Sequence, residues 1–281
     1  MANLCTVLLS VAAFHISTAR SFPVQSFTIS TDRLLDLTHP FNNETVYWVE
    51  HDKAGWNFDL RTIEENEKRG FYFRSNRFHA AEHGGTHIDL PSHYIKNGLD
   101  AADVKPADLI GPAIVLNVTD KCTKNRLFAL GKQDILDWEA QYGQIPDGAF
   151  VFLLTGIGLR WPNKQQLFGS DNIYDVKSLK YPAFSEESAN FLIHDRKAKG
   201  IGTDLGSLEH PMNLGKEFVH RVVAHANRIG IEFAANLEKL PPTGAFVMVA
   251  PMKITYGTGS PSNIVAVLPE NFNITSAQPS G

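Results

Sequence analysis

The residues with the clearest capacity for chemistry are clustered between positions 82 and 93. Three histidines and two carboxylates fall within this segment, in a chain that has 11 histidines in all. If the backbone at His87 and Asp89 is extended, both side chains leave the same face, about 7 Å apart. A divalent ion between them can accept a histidine nitrogen and a carboxylate oxygen at about 2.0–2.2 Å each. Because Gly84 and Gly85 allow a tight turn that returns His83 to the same point, we expect a metal site here.

The segment after Asp89 predicts a further histidine that faces the site without binding the ion. Pro91 has no N–H to donate and ends the hydrogen bonding of the strand, so His93 would lie over the metal. A histidine-rich surface loop is the alternative interpretation, and the converging spacing argues against it. The pattern is neither a thiolate zinc finger nor the H-E-x-x-H helix of metalloproteases. The sequence has no G-x-S-x-G elbow, which argues against a serine hydrolase.

The elements that must position these residues are indicated by apolar runs and helical periodicity. Short apolar runs bounded by glycine or proline predict buried strands at residues 113–116, 149–154 and 245–249. Periodicity predicts helices at residues 133–142, 185–199 and 216–229. Ser185 is a suitable N-cap for the second helix, Gly200 would end it, and a strand would follow at residues 201–204. Strands that alternate with helices predict an α/β fold with a mixed sheet.

Composition and charge limit the class of protein. The 281 residues are 43% hydrophobic and 20% charged, which suits a globular chain with an ample core. Such a core needs no structural metal, so a metal here would serve catalysis. The formal net charge of −4, without any basic stripe, disfavours nucleic-acid binding, and no run of twenty apolar residues predicts a membrane span. Cys122 is interpreted as an unreactive loop thiol.

The N-terminus predicts entry into the secretory pathway. An apolar stretch at residues 4–16 is followed by three small residues, the pattern of a signal peptide over residues 1–20 with cleavage near Ala19. A buried strand or helix is the alternative, and the lack of a basic residue ahead of the stretch favours it. Three sequons agree with secretion, and they begin at Asn43, Asn117 and Asn273. We therefore expect a secreted or lumenal mature chain.

The run from His83 to His93 matches the pattern H-x-G-T-H-x-D-x-P-x-H and resembles the signature of the metal-dependent cyclase superfamily. This superfamily includes bacterial-type kynurenine formamidases and isatin hydrolases. Residues 36–40 resemble its opening strand, and three further segments resemble the isatin hydrolase branch, at residues 76–78, 109–113 and 234–241. The resemblance implies one domain over residues 21–281, with a mixed, partly barrel-like β-sheet flanked by helices, of the swivelling β/β/α type.

The resemblance also implies a second half of the metal site, a histidine followed twelve residues later by a glutamate. His220 and Glu232 match that spacing. His83, His87 and Asp89 would bind one ion, and Asp89 would bridge to a second ion held by His220 and Glu232. The family uses zinc or manganese, and nitrogen and oxygen ligands leave open both that choice and the number of ions, one or two per chain.

Further residues acquire expected roles from the resemblance. His93 would be the general acid/base, for which an unperturbed pKa of about 6.5 is suitable. Trp48 would lie over the aromatic ring of the substrate, with core packing as the alternative, although Val49 replaces the proline that the family usually has next. Asp204 matches a family aspartate near the site and is given no role. A turn at Gly230 would join the helix of His220 to the strand of Glu232, and His225 is a rival ligand on another helix face.

Together these expectations predict metal-dependent hydrolysis of a small aromatic amide. A bound divalent ion lowers the pKa of its water to about 7, which suits attack on an amide carbonyl at neutral pH. The leading hypothesis is cleavage of an aryl formamide, N-formylkynurenine to kynurenine and formate, in tryptophan catabolism. Opening of a cyclic amide such as isatin is the equivalent alternative, and a secreted metal-binding protein without activity is a third. We also expect a homo-oligomer, specifically a homodimer.

Overall fold

A mixed sheet forms the centre of the structure and curls into a closed barrel. The computed structural model describes residues 30–67, 70–270 and 272. The strands in chain order are β1 Leu34–Asp36, β2 Asp59–Asn66, β3 Phe73–His79, β4 His87–Asp89, β5 Ile110–Asn117, β6 Ala129–Leu130, β7 Phe150–Leu154, β8 Ala183–Phe184, β9 Gly200–Thr203, β10 Ile229–Glu232, β11 Ala245–Pro251 and β12 Gly259–Val267. Seven of them close a barrel in the order β12-β11-β5-β7-β9-β10-β4. Strand β1 pairs with the last three residues of β12, 265–267. The predicted α/β fold with a barrel-like mixed sheet is confirmed.

The short strand β4 closes the barrel. It pairs antiparallel with β10 on one side and with the start of β12 on the other. Asp89 is therefore flanked by two glycines, Gly230 of β10 and Gly259 of β12, in the registers of these two pairings. We call β4 and its two pairings, with β10 and β12, the seam of the barrel. Since β4 contains two of the predicted metal ligands, the predicted site lies at this seam.

The parallel strands β5 and β7 are buried on both faces over most of their length, which explains why their sequences contain continuous apolar runs. In β7, Phe150 and Phe152 belong to the core inside the barrel, whereas Val151 and Leu153 belong to the core between the sheet and the outer helices. The helices are α1 Val49–Lys53, α2 Thr119–Lys124, α3 Lys132–Tyr142, α4 Lys164–Phe168, α5 Glu186–Asn190 and α6 Phe218–His225. Within the described part of the chain, no helix has the length and apolarity needed to cross a bilayer.

Most predicted elements are present, and two predicted helices are too long. The three predicted strands correspond to β5, β7 and β11, and the first predicted helix corresponds to α3. Ser185 caps α5 by accepting the N–H of Ser188, but the helix continues only through one π-helical turn to Asp195. Lys197 has a φ of 52°, a left-handed conformation that ends helical structure, so Gly200 starts β9 instead of ending the helix.

The helix of His220 also ends early, for the same reason. Asn227 has a φ of 53°, so α6 stops at His225 and Gly230 lies inside β10 instead of forming the predicted turn. Cys122 is on α2 and buried, not in a loop, and burial raises the pKa of its thiol to about 12. The predicted signal peptide and the sequon at Asn273 lie outside the described residues.

A two-stranded ribbon, formed by β2 and β3, stands outside the barrel. The strands pair antiparallel, with a bulge between Thr62 and Glu64. Nearly every ribbon residue is exposed on both faces. Several are apolar, among them Leu60, Ile63 and Phe78, which are 51%, 64% and 52% exposed. Neither strand of this ribbon is among the predicted elements.

Candidate metal centre

The first three predicted ligands converge at the seam of the barrel. His83 Nδ1 lies 2.8 Å from Asp89 Oδ1, and His87 Nε2 lies 3.4 Å from the same oxygen. Gly85 adopts a left-handed φ of 57°, which supplies the turn before β4. Gly259 lets the His83 ring pack against β12, because a Cβ at that position would be 2.5 Å from the ring. The sequence and the strand pairing thus bring the three side chains to one point.

The second pair of predicted ligands lies at the same point. His220 Nε2, from α6, is 3.2 Å from Glu232 Oε1 and 3.6 Å from Asp89 Oδ2. Glu232 Oε2, from β10, is 3.6 Å from His87 Nε2. The two oxygens of Asp89 therefore face different partners, Oδ1 toward His83 and His87 and Oδ2 toward His220. A bridging carboxylate between two ions would need this orientation.

One buried nitrogen at this point has no hydrogen-bond partner. His87 Nδ1 lies 2.9 Å from the Gly85 carbonyl, so the ring donates from Nδ1 and leaves the lone pair of Nε2 free. His87 is 2% exposed, and its Nε2 has no hydrogen-bond partner among the described residues. Buried polar groups are rarely left unpaired, and an ion is one explanation when they are. Nitrogen and oxygen donors of this kind fit a divalent metal.

A hydrogen-bond chain fixes the ring of His83 from behind. Its Nε2 lies 3.0 Å from Thr258 Oγ1. Glu82 accepts hydrogen bonds from the backbone and hydroxyl of Thr258 and from the backbone of Gly259. Nδ1 of His83 is left to face Asp89. Glu82, at the start of the histidine-rich segment, thus holds the loop before β12 and, through Thr258, the ring.

The electrostatics of the centre favour a cation. Burial alone would raise the pKa of Asp89, but the hydrogen bond from His83 and the positive charge that His83 and His93 can carry hold it well below its usual value. Burial would lower the pKa of His220, but the carboxylates of Glu209, Glu217 and Glu232 raise it well above its usual value. The centre therefore holds an excess of buried negative charge, which a proton or a metal ion can compensate.

A cavity of about 210 Å³ opens onto the ligands. His93 lines it and stacks on His83 with ring centroids 4.1 Å apart. Burial lowers the pKa of His93 to about 4, below the value of about 6.5 expected from the sequence, so the ring is neutral at pH 7 and free to accept a proton. Its donor nitrogen also belongs to a group with His83 and Asp89 in which all donor atoms lie within 4.8 Å of one another. His93 is therefore beside the ligands, at the edge of the cavity.

The remaining predicted residues are divided between the cavity and the scaffold. Trp48, just before α1, forms a wall of the cavity and makes edge contacts with Phe168 and Tyr181. Asp204 does not line this cavity; it is 4% exposed and accepts hydrogen bonds from Thr155, Gly156 and Gly158. His225 is exposed at the end of α6 and lies outside the cluster.

Sequence reasoning missed several residues of this region, and three of them illustrate why. His51 on α1 and Tyr94 after β4 line the cavity, and Glu209 lies behind His220. Tyr94 was detectable as the neighbour of His93. The other two had no local signal, since α1 and the segment before α6 reach the centre only through tertiary packing.

Comparisons with known proteins agree with this geometry. Residues 35–210 match the Cyclase family, described as "Putative cyclase". An isatin hydrolase from Roseibium aggregatum is 30% identical over 220 residues, which cover 75% of this chain and 81% of that protein. A kynurenine formamidase from Salinibacter ruber is 21% identical over 236 residues, 83% of this chain and 96% of that protein. The solved isatin hydrolase A from Labrenzia aggregata, bound to benzyl benzoate, superimposes with a TM-score of 0.76 at 28% identity, covering 85% of this chain and 94% of its own.

Proposed function

Because the chain belongs to the Cyclase family, we propose that it is a metal-dependent hydrolase that cleaves a carbon–nitrogen bond in a small aromatic amide. One observation supports this above the others: five nitrogen and oxygen donors from three separate parts of the chain meet at one point, and four of the five line one cavity. They are His83, His87, Asp89, His220 and Glu232.

The proposed chemistry divides between the ion and the side chains of the cavity. A divalent ion, zinc or manganese, supplies an activated water and a positive charge that stabilises the developing oxyanion. His93 accepts the proton of the attacking water and returns it to the leaving nitrogen. Trp48 provides a flat apolar wall against which an aromatic ring can stack. These roles suit amide hydrolysis and need no covalent intermediate.

The cavity favours a neutral ring over an anionic substrate. Among the described residues that line it, none is a lysine or arginine, and Glu50 and Glu217 are both present. A neutral cyclic amide such as isatin needs no cationic partner, and the 30% identical relative is an isatin hydrolase. We therefore place opening of a cyclic amide first. Hydrolysis of an aryl formamide is the second candidate, since the kynurenine formamidase from Salinibacter ruber aligns with 83% of the chain.

The proposed function is tested by metal analysis together with hydrolysis assays on isatin and N-formylkynurenine. We expect at least one equivalent of zinc or manganese per chain and activity that is lost on chelation and restored by the metal. Faster turnover of isatin supports the first candidate, and faster turnover of N-formylkynurenine supports the second. A metal-loaded protein that hydrolyses neither compound, nor any related amide, would favour the third hypothesis of a binding protein without activity.

Two further proposals concern where the protein acts and how it assembles. We propose that it is secreted, because residues 1–20 have the pattern of a signal peptide. N-terminal sequencing of the mature protein should begin close to Arg20, and recovery of Met1 from cytosolic protein would contradict it. We also propose a homodimer, because a two-stranded ribbon with apolar residues on its surface is marginally stable alone and gains stability from a partner.

A further inference from the structure

Two carboxylates flank the side of the His220 ring that faces away from the centre. Glu209 Oε2 and Glu217 Oε2 each lie 3.5 Å from His220 Nδ1. The opposite nitrogen, Nε2, faces Asp89 and Glu232. A histidine whose one nitrogen faces a metal usually donates its other N–H to a carboxylate or carbonyl, and this contact sets the tautomer and the ring orientation.

Glu209 and Glu217 differ in how firmly they are held. Glu209 is 0% exposed, and its Oε2 accepts the backbone N–H of Val219 at 2.8 Å. Its other oxygen, Oε1, is buried without a hydrogen-bond partner in the described part of the chain. The side chain of Glu217 is 25% exposed, so water can reach and replace it. Water cannot take the place of the completely buried Glu209 carboxylate, whose negative charge also acts in a region of low dielectric.

We propose that Glu209 is the positioning residue of His220. It holds the proton on Nδ1 and thereby presents the lone pair of Nε2 to the metal centre, beside Asp89 and Glu232. The inference rests on the proposed function, because it requires that His220 binds an ion. It goes further by assigning to a residue outside the ligand set the task of fixing the tautomer of one ligand.

A purely structural role is the competing explanation. The bond from the Val219 N–H satisfies one of the free donors in the first turn of α6, as a capping side chain does. A cap alone would affect the stability of the fold, and it would not depend on the identity of residue 220. The two explanations therefore differ in how a Glu209 substitution combines with a His220 substitution.

The experiment measures the affinity of the metal-free full-length protein for Zn²⁺ and for Mn²⁺ by competition with a chromophoric chelator. We expect Glu209→Ala to weaken binding by about 10–100-fold, the range seen when the partner of a ligating histidine is removed. Glu209→Gln should lose less, because its amide oxygen still accepts the Val219 N–H and stays near His220 Nδ1, which has no hydrogen-bond partner among the described residues, but it has no charge. The matched control is Glu139→Gln, which alters a mostly buried carboxylate that also accepts a backbone N–H, far from the centre, and should bind metal as the wild type does.

A double-mutant cycle separates positioning from capping. On a His220→Ala background, Glu209→Gln should cause no further loss of metal affinity, since the ring that it positions is gone. An equal loss on both backgrounds would overturn the inference. So would unchanged affinity in folded Glu209→Ala or Glu209→Gln protein, even with a lowered Tm of the apo form. If Glu209→Ala does not fold, the Glu209→Gln measurements decide. A wild-type protein that binds neither ion would instead contradict the proposed function itself.

Discussion

His87 and Glu232 lie directly opposite each other in the antiparallel pairing of β4 and β10. Cross-strand neighbours have Cβ atoms about 4.5–5.5 Å apart, so the pairing alone places a histidine and a carboxylate within reach of one ion. A shift of one residue in this register would turn one of them to the other face of the sheet. Strand pairing thus sets the position of His87 relative to Glu232.

The first prediction separates metal binding from proton transfer. His87→Ala should lose metal and activity together, because it removes a donor whose Nε2 faces Asp89 and Glu232. His93→Ala should keep its metal and lower kcat by roughly 10²–10⁴-fold, the usual contribution of a general acid/base. Metal stoichiometry and steady-state kinetics are measured on both variants. Loss of metal from His93→Ala would show that His93 is a ligand, and full activity would exclude it as the base.

The second prediction concerns the wall of the cavity. Trp48→Ala should raise KM by roughly tenfold with a small effect on kcat, because it removes stacking area that the ground state and the transition state use equally. Trp48→Phe keeps a ring and should recover most of the affinity. If Trp48→Ala lowers kcat with KM unchanged, the residue orients the reacting bond; if neither parameter changes, Trp48 serves packing alone.

The ligands between His83 and Asp89 could be predicted from the sequence because they lie close together along the chain. His87 and Asp89 lie on one strand, where the alternation of side chains puts both on the same face, and the glycine turn before the strand returns His83 to them. His220 and Glu232 had no such local signal. Their approach depends on β10 pairing with β4, a contact between distant segments that no spacing rule gives, and only the family resemblance indicated them.

The same distinction explains the errors in the fold. β7 was recognisable because burial on both faces makes a continuous apolar run. The ribbon of β2 and β3 has no buried face, so its sequence shows no clear alternation and gave no strand prediction. The helices at α5 and α6 were extended too far because Lys197 and Asn227, the left-handed residues that follow them, are not glycines.

The third prediction concerns the dependence of stability on pH. Burial lowers the pKa of His39 to about 4, and its ring stacks on Trp161 with centroids 4.0 Å apart. Between this value and the unfolded value of about 6.5, the unfolded chain binds the proton and the folded chain does not. The free energy of unfolding that depends on a neutral His39 is therefore fully present above pH 6.5, and it is lost as the pH falls toward 4.

This pH effect is measured with His39→Phe, which keeps a stacking ring and cannot titrate. Urea unfolding at several pH values between 7.5 and 4.5 should show a shallower loss of stability in the variant than in the wild type. The difference between the two proteins should be constant above pH 6.5. Parallel curves over the whole range would show that His39 does not contribute to the pH dependence.

The fourth prediction assigns Asp204 to the scaffold. Its buried carboxylate accepts the backbone N–H groups of Thr155, Gly156 and Gly158, which fixes the turn after β7. Asp204→Asn places an amide donor opposite these donors and should lower the free energy of unfolding by about 1–3 kcal/mol. Metal content and kcat of the folded protein should not change. Asp137→Asn, exposed on α3, is the control and should stay within about 0.5 kcal/mol of the wild type. A large fall in kcat would instead identify Asp204 as a proton acceptor.

The fifth prediction tests the proposed dimer. The wild-type protein should have the mass of a dimer by size-exclusion chromatography with light scattering. Ile63→Glu places a charge on the exposed apolar surface of the ribbon and should give a monomer. Met212→Glu changes another exposed apolar residue, 73% accessible and outside the ribbon, and should remain a dimer. A monomeric wild-type protein would exclude the dimer. Equal behaviour of the two variants would show that the dimer contact does not depend on the ribbon.

The closing of the barrel at β4 has a consequence for the order in which the protein matures. β4 pairs with β12, which is the last strand of the sheet, so a ribosome has made almost the whole described chain before the seam can close. Contacts between such distant residues form late because a long loop must first be closed. We therefore expect the nascent chain to have no closed barrel around the metal centre until synthesis has passed residue 261, the last residue of β12 that pairs with β4.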